Sequence, residues 1–141
     1  MSEIDNSSKI KPPSNIPAIR TMMMPSHTNP NGTIFGGIIL SYIDQAGSIE
    51  AMRQAPHVYV TAKMNEVNFR RPVMVGDILS CWAKTTAIGN TSITIAVDVF
   101  ACHSDAIGKK KIHVTSAEVV YVAIDRSGRP TSVFDLDEND D

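Results

Sequence analysis

An aspartate stands inside one of the most apolar stretches of this chain. It is Asp44 in IFGGIILSYIDQAG, residues 34–47, preceded by Ile38, Ile39, Leu40 and Ile43. Burying an unpaired carboxylate is costly unless it is hydrogen-bonded or neutralised. Such a group is either structural, satisfied by backbone or hydroxyl partners, or it acts on a substrate. In the second case it takes a proton from water as general base, or attacks an electrophilic carbon itself. Neighbouring residues fit that second use. Gly36 and Gly37 open the run. If a helix starts there, its first amides lack intrahelical acceptors and sit at the positive end of the helix dipole. With no side chain in the way, a developing oxyanion can approach them; the same glycines also serve tight packing. Ser48 follows Asp44 by four residues, on the same helix face. Its hydroxyl either orients a water or bonds back to its own backbone.

The elements that must position these residues follow from hydrophobic period and from breakers. Residues 35–53 read as a helix that stops before Pro56. Ile39, Ile43 and Ala46 share one face, and Leu40, Gly47 and Ala51 lie near Asp44 on another. A helix apolar on most sides is a buried helix. Before it, residues 18–24 (AIRTMMM) read as a short strand, its methionines being strand and core filler. PSHTNPNG is dense in turn formers. After the helix the period changes. Residues 57–69 (HVYVTAKMNEVNF) alternate, and RRPVMVGD breaks the pattern. ILSCWAKTTAI (78–88) and TSITIAVDVFACH (91–103) flank Gly89-Asn90 as a hairpin. SDAIGKKK is a loop, IHVTSAEVVYVAI (112–124) a long strand, and DRSGRP its end. One helix followed by hairpin-linked strands predicts an α+β domain, with a long central helix wrapped by a curved five-stranded antiparallel sheet. Residues 1–16 are expected to be a flexible N-terminal arm, 17–132 the folded domain, and 133–141 an acidic tail.

Bulk properties exclude several classes of function. The 141 residues suit one domain with a sizeable core. Hydrophobic content of 43% and charged content of 20% are those of an ordinary globular protein. The net charge of −2, much of it owed to the closing DLDENDD, lacks the basic bias of a nucleic-acid binder. No run approaches membrane-spanning length, and MSEIDNSSKIKPPSNIP carries no apolar leader segment. Cys81 and Cys102 lack metal-type spacing and fit a reducing compartment, so a cytoplasmic location is expected. His27, His57, His103 and His113 are scattered, and no metal site is expected. Two basic groups are candidate anion partners: Arg70 with Arg71, and Lys109, Lys110 and Lys111. A short basic run is also what an ordinary solvated loop carries.

Four segments in order, TNPNGTIFGG, SYIDQAG, NFRRPVMVGD and GNTSITIAVDV, resemble those of hotdog-fold acyl-CoA thioesterases of the small bacterial YciA-type group. The resemblance covers about residues 18–131. It implies the hotdog fold and hydrolysis of an acyl-CoA thioester to free acid and CoA, with no cofactor beyond the CoA of the substrate. By position it makes Asp44 the catalytic carboxylate, which leaves the Gly36 and Gly37 amides as candidate oxyanion donors and Ser48 as a candidate partner of the water. With CoA as part of the substrate, its phosphates become candidate partners of the basic residues; Thr91 and Ser92, after the Gly-Asn turn, either hydrogen-bond the pantetheine or are ordinary strand residues. A homodimer through a continuous sheet, assembled into a trimer of dimers, is implied as well. Two other readings remain at this stage: a hotdog acyl hydratase, and an acyl-CoA-binding sensor without catalysis. Helix geometry adds one constraint. Gly36 and Asp44 lie eight residues apart, about 12 Å along a helix, too far for one helix to supply both to one thioester. The site is therefore expected to be shared between two antiparallel helices of a dimer.

Overall fold

The computed structural model describes residues 4–103 and 110–134. The elements are β1 (Ile19–Met22), α1 (Gly36–Gln54), β2 (Val58–Met64), β3 (Ile78–Ile88), β4 (Ser92–Cys102) and β5 (Ile112–Ile124). Short 3-10 turns stand at Ser7–Lys9 and Pro25–His27. The strands form one sheet in the order β1-β3-β4-β5-β2, each neighbour antiparallel. Strict alternation in β4 puts Ile93, Ile95, Val97, Val99 and Ala101 on the buried face. The helix lies against the sheet with Ile39, Ile43, Ala46, Gly47, Glu50, Ala51 and Gln54 buried. The expected α+β architecture is present.

Four expectations need correction. The helix is not enclosed on all sides: Gly37, Ser41, Gln45, Ile49 and Met52 are exposed, at the spacing of one open stripe. Asp44, expected to be buried, is half-buried at the edge of that stripe. The second strand ends at Met64, not at residue 69. There the Asn65 side chain takes over from the backbone, its Oδ1 accepting the Glu118 N–H at 2.8 Å. Beyond it the chain follows β5 through separate bonds, Thr115 Oγ1 donating to Asn68 O (2.7 Å) and Arg70 N–H to Val114 O (2.9 Å).

The fourth correction concerns the ends. Residues 6–12 of the arm are held against the domain. Asn6 N–H donates to Ile88 O at 2.8 Å, Lys11 N–H to Gln54 Oε1 at 2.8 Å, and Arg53 Nη2 to Pro12 O at 2.9 Å. Composition hides this, because the partners belong to distant residues. The domain also extends past residue 132: Val133 is buried, its N–H on Asn90 O and its carbonyl 2.7 Å from His57 Nε2. Residues 135–141 of the expected acidic tail, and Lys109, lie outside the described residues.

Candidate active site

The loop before the helix is closed on itself. Asn29 N–H donates to Thr33 O (2.7 Å), and Asn29 Oδ1 accepts the amides of Asn31 and Thr33. Gly32 turns the chain at φ +83°, a conformation that favours glycine. Phe35 N–H then bonds His27 O at 2.9 Å, and the helix starts at Gly36. No side chain caps it, and no acid stands in its first turn. The Gly36 and Gly37 amides therefore point out of the helix end without intrahelical acceptors. The two glycines differ. A Cβ on Gly36 would lie 3.2 Å from Phe69 Cε2, whereas one on Gly37 would meet nothing within 4 Å. Packing accounts for the first; Gly37 faces open space.

Asp44 lies two turns further on. Thr61 of β2 donates its hydroxyl to Asp44 Oδ1 at 2.6 Å. Oδ2 has no such fixed donor among the described residues, the Tyr121 hydroxyl being the other polar group that bears on the carboxylate, so one oxygen is held and the other can accept a proton. Thr61 stands at a β-bulge, where the β2–β5 register shifts between Thr61 and Lys63; bulges re-aim side chains next to active sites. Tyr121 of β5 donates to the Asp44 backbone carbonyl at 2.7 Å. Ser48 is half-buried one turn along, and its hydroxyl makes no hydrogen bond among the described residues; the back-bonding alternative is not what the structure adopts.

Glu50, on the same helix, is the instructive contrast. It is 3% exposed and fully engaged. Oε1 accepts Arg53 Nε at 2.7 Å, and Oε2 accepts Arg53 Nη2, Gln54 Nε2 and Thr85 Oγ1 at 2.8–3.0 Å. Burial pushes the Glu50 carboxyl up, but the hydrogen bonds from Arg53, Gln54 and Thr85 outweigh it and hold the group below its ordinary range. A carboxylate so enclosed is shielded from water by its burial and its donors. Of the two, Asp44 is the more exposed and the less bonded. Gln54 ties the same network to the arm by donating to Lys11 O at 3.3 Å. Sequence reasoning missed Glu50 and Gln54. A charged residue at a buried helix position was the available signal, but one of the residues that satisfy it, Thr85, stands on β3, 35 residues away.

A cavity of about 320 Å³ opens beside the helix start, lined by Thr33, Gly36, Ile39, Phe69, Arg70 and Arg71 among others. Arg70 and Arg71 also line a second cavity of about 480 Å³, together with Lys110, Lys111 and His113. The two expected basic groups thus converge, and a cationic path runs from them to Gly36. Lys111 also lies over the rings of Phe100 (5.2 Å) and Trp82 (5.7 Å). Thr91 and Ser92 are not brought to this path within the chain. Ser92 pairs with Val122, whereas Arg70 bonds Val114 of the same strand. Eight strand residues separate those points, roughly 26 Å. Thr91 is a turn residue whose carbonyl accepts Ala123 N–H.

The histidines are engaged with other partners, His113 included although it lines the second cavity. His27 Nδ1 accepts the Met24 amide and its ring meets Tyr42 edge-on. His103 contacts Asp77 (2.6 Å), and His113 contacts Asp98 (3.2 Å). Among the described residues no three His, Cys, Asp or Glu side chains are grouped to hold a metal ion. No helix among them is long and apolar enough to cross a membrane.

One α-helix and five strands among the described residues, with a carboxylate at mid-helix, invite comparison with known proteins. The family model of the thioesterase superfamily matches residues 31–104, from the loop before α1 to the end of β4. The chain belongs to the thioesterase superfamily. Its superfamily relatives include the acyl-CoA thioester hydrolase YciA of Escherichia coli, 38% identical over 117 residues, 82% of this chain and 88% of that one. A hexameric hotdog-fold thioesterase of Campylobacter jejuni superposes with a TM-score of 0.78 at 46% identity, covering 84% of this chain and 90% of that chain. A hexameric broad-specificity acyl-coenzyme A thioesterase superposes with a TM-score of 0.79 at 34% identity, covering 92% and 87%. The hotdog fold expected from the sequence is thereby established for this chain.

Proposed function

We infer that this protein is an acyl-CoA thioester hydrolase in which Asp44 acts on the thioester. The observation that carries this reading is the state of Asp44. It is half-buried on the helix's open stripe, one oxygen is fixed by Thr61, and the other has no such fixed donor among the described residues. Thioester hydrolysis needs a base or nucleophile and a place for the oxyanion. As general base, Asp44 takes a proton from water, whose oxygen attacks the thioester carbon. As nucleophile, it attacks that carbon itself and water later opens the anhydride. Either way the C–S bond breaks, the carboxylic acid is released, and CoA leaves as its thiol. The reaction uses water and the chain's own groups. Superfamily relatives named acyl-CoA thioester hydrolases support the substrate class. We place the activity in the cytoplasm, as the spacing of Cys81 and Cys102 suggests.

The reading includes a site shared by two chains. Gly36 and Asp44 belong to one uninterrupted helix, which separates them by about 12 Å. A reacting carbonyl carbon must come within roughly 3–3.5 Å of the attacking atom, with its oxygen about 3 Å from the stabilising amides. A second antiparallel helix lying on the open stripe brings its Gly36–Gly37 end to this Asp44. The edge strand β2 exposes Val58 (66%) and Val60 (44%), and an apolar, unpaired edge is a template for another copy. We propose a homodimer through that edge, with dimers assembled in threes as the hexameric solved relatives suggest. Arg70, Arg71, Lys110 and Lys111 then hold the CoA phosphates, with Lys109 beside them in sequence. Thr91 and Ser92 reach the pantetheine only if they come from another subunit.

Asp44→Asn tests the reading. Thiol release is followed with DTNB over a panel of acyl-CoAs. The variant is expected to fold normally and lose roughly two to four orders of magnitude in kcat. Hydrolysis at near wild-type rate would remove Asp44 from the mechanism.

A further inference from the structure

The helix carries one feature that the proposed chemistry does not use. Glycine at 47, in the middle of a helix, costs about 1 kcal/mol against alanine. A Cβ there would lie 2.1 Å from the Tyr121 hydroxyl and 2.7–2.8 Å from its ring carbons, and those are the nearest atoms. Position 47 is therefore a notch for one side chain. Tyr121 is itself 1% exposed, and burying a hydroxyl is unfavourable unless it is bonded. Here it is bonded: the hydroxyl donates to the Asp44 carbonyl at 2.7 Å. Tyr121 thus holds the helix backbone at the residue whose carboxylate is to react.

The register of the sheet links this notch to the carboxylate. Tyr121 and Thr61 are direct partners in the β2–β5 ladder, beside the bulge after Thr61. One cross-strand pair therefore holds Asp44 at two points: Thr61 by its carboxylate, Tyr121 by its backbone carbonyl.

We propose that Tyr121, seated in the Gly47 notch, is a positioning residue for hydrolysis: its hydroxyl fixes the Asp44 backbone at the place from which the carboxylate meets Thr61 and presents its other oxygen to water. Packing alone does not ask for this arrangement, since phenylalanine fills nearly the same volume without a polar atom to satisfy. Nor is Tyr121 an acid or base in the reaction. Burial first, and the charge of Asp44 second, push its hydroxyl far above the ordinary tyrosine range, so it stays protonated.

The inference rests on Asp44 being the reacting carboxylate, and the two fail separately: an active Asp44→Asn removes that reading, whereas the variants below address Tyr121 alone. Tyr121→Phe removes only the hydroxyl. We expect kcat per folded subunit to fall roughly tenfold to a hundredfold, the scale of a small misplacement of a reacting group. KM should stay within about twofold, because binding is uniform and untouched, and the pH profile should keep its shape. Val99→Ala, a core truncation in β4 at a fully buried position, serves as the control that lowers the melting temperature without touching Asp44; it should keep the wild-type kcat. Retention of kcat by Tyr121→Phe would overturn the proposal. So would an equal loss in Val99→Ala, which would make the effect one of general loosening. A displaced limb in the Tyr121→Phe pH profile would overturn it too, by making Tyr121 a proton carrier.

Discussion

Two inactive variants should restore each other if the site spans two chains. The first partner is Asp44→Asn. The second must obstruct the oxyanion amides without damaging the fold, and the structure selects Gly37 over Gly36. A side chain at Gly36 presses on Phe69 at 3.2 Å, whereas Gly37 has nothing of its own chain within 4 Å. Gly37→Leu should therefore fold and leave its own Asp44 intact. In a mixed dimer one site receives both intact halves and the other receives both damaged ones. Equal mixing with free exchange gives about half mixed dimers, each with one working site of two, so activity should return to about a quarter of wild type. Each variant alone should stay at least a hundredfold below wild type. The assay is thiol release after exchange in mild denaturant and dilution, with differently tagged subunits co-purified to prove mixing. Proven exchange without recovery would mean that each site is built within one chain, and that the 12 Å separation along the helix is bridged in some other way.

Replacing Arg70, Arg71 and Lys110 by alanine together should raise KM for an acyl-CoA at least tenfold and leave a pantetheine thioester without the nucleotide nearly unchanged; equal effects on both substrates would show that these charges are only a solvated surface. Glu50→Gln tests the buried network through pH. The folded Glu50 carboxyl is held below its ordinary value of 4.5, so its contribution to stability is present above that value and lost as pH falls through the folded one. Urea denaturation at one fixed protein concentration should find the variant about 1.5–3 kcal/mol less stable at pH 7. That gap should shrink toward pH 3, and a gap of the same size at both pH values would refute the assignment.

Much of the fold was legible in the chain itself because its signals are local. The change from a helical to a two-residue period after Pro56, the Gly89-Asn90 turn and the alternation of Ile93, Ile95, Val97 and Val99 each depend on residues within a few positions. The same holds for the Gly36–Gly37 opening and the misplaced Asp44, and simple helix rise made a site within one chain implausible. The four-segment resemblance supplied the reaction, which no periodicity contains.

Tertiary structure decided what holds the carboxylate. Thr61 is 17 residues from Asp44 and Tyr121 is 77. Both reach it because one register of β2 against β5, with a bulge after Thr61, sets them side by side. A one-residue slip would turn each to the other face, and no local pattern encodes which register wins. The same reason explains the arm, whose polar residues look unattached until Gln54 and Arg53 meet Lys11 and Pro12. It also explains why Asp44 and Glu50, two carboxylates six residues apart on one helix, differ in kind. Glu50 is enclosed by Arg53, Gln54 and Thr85, while Asp44 keeps one oxygen open. Residue type and spacing can nominate a reacting group, but its free lone pair depends on which distant side chains the folded backbone brings within 3 Å.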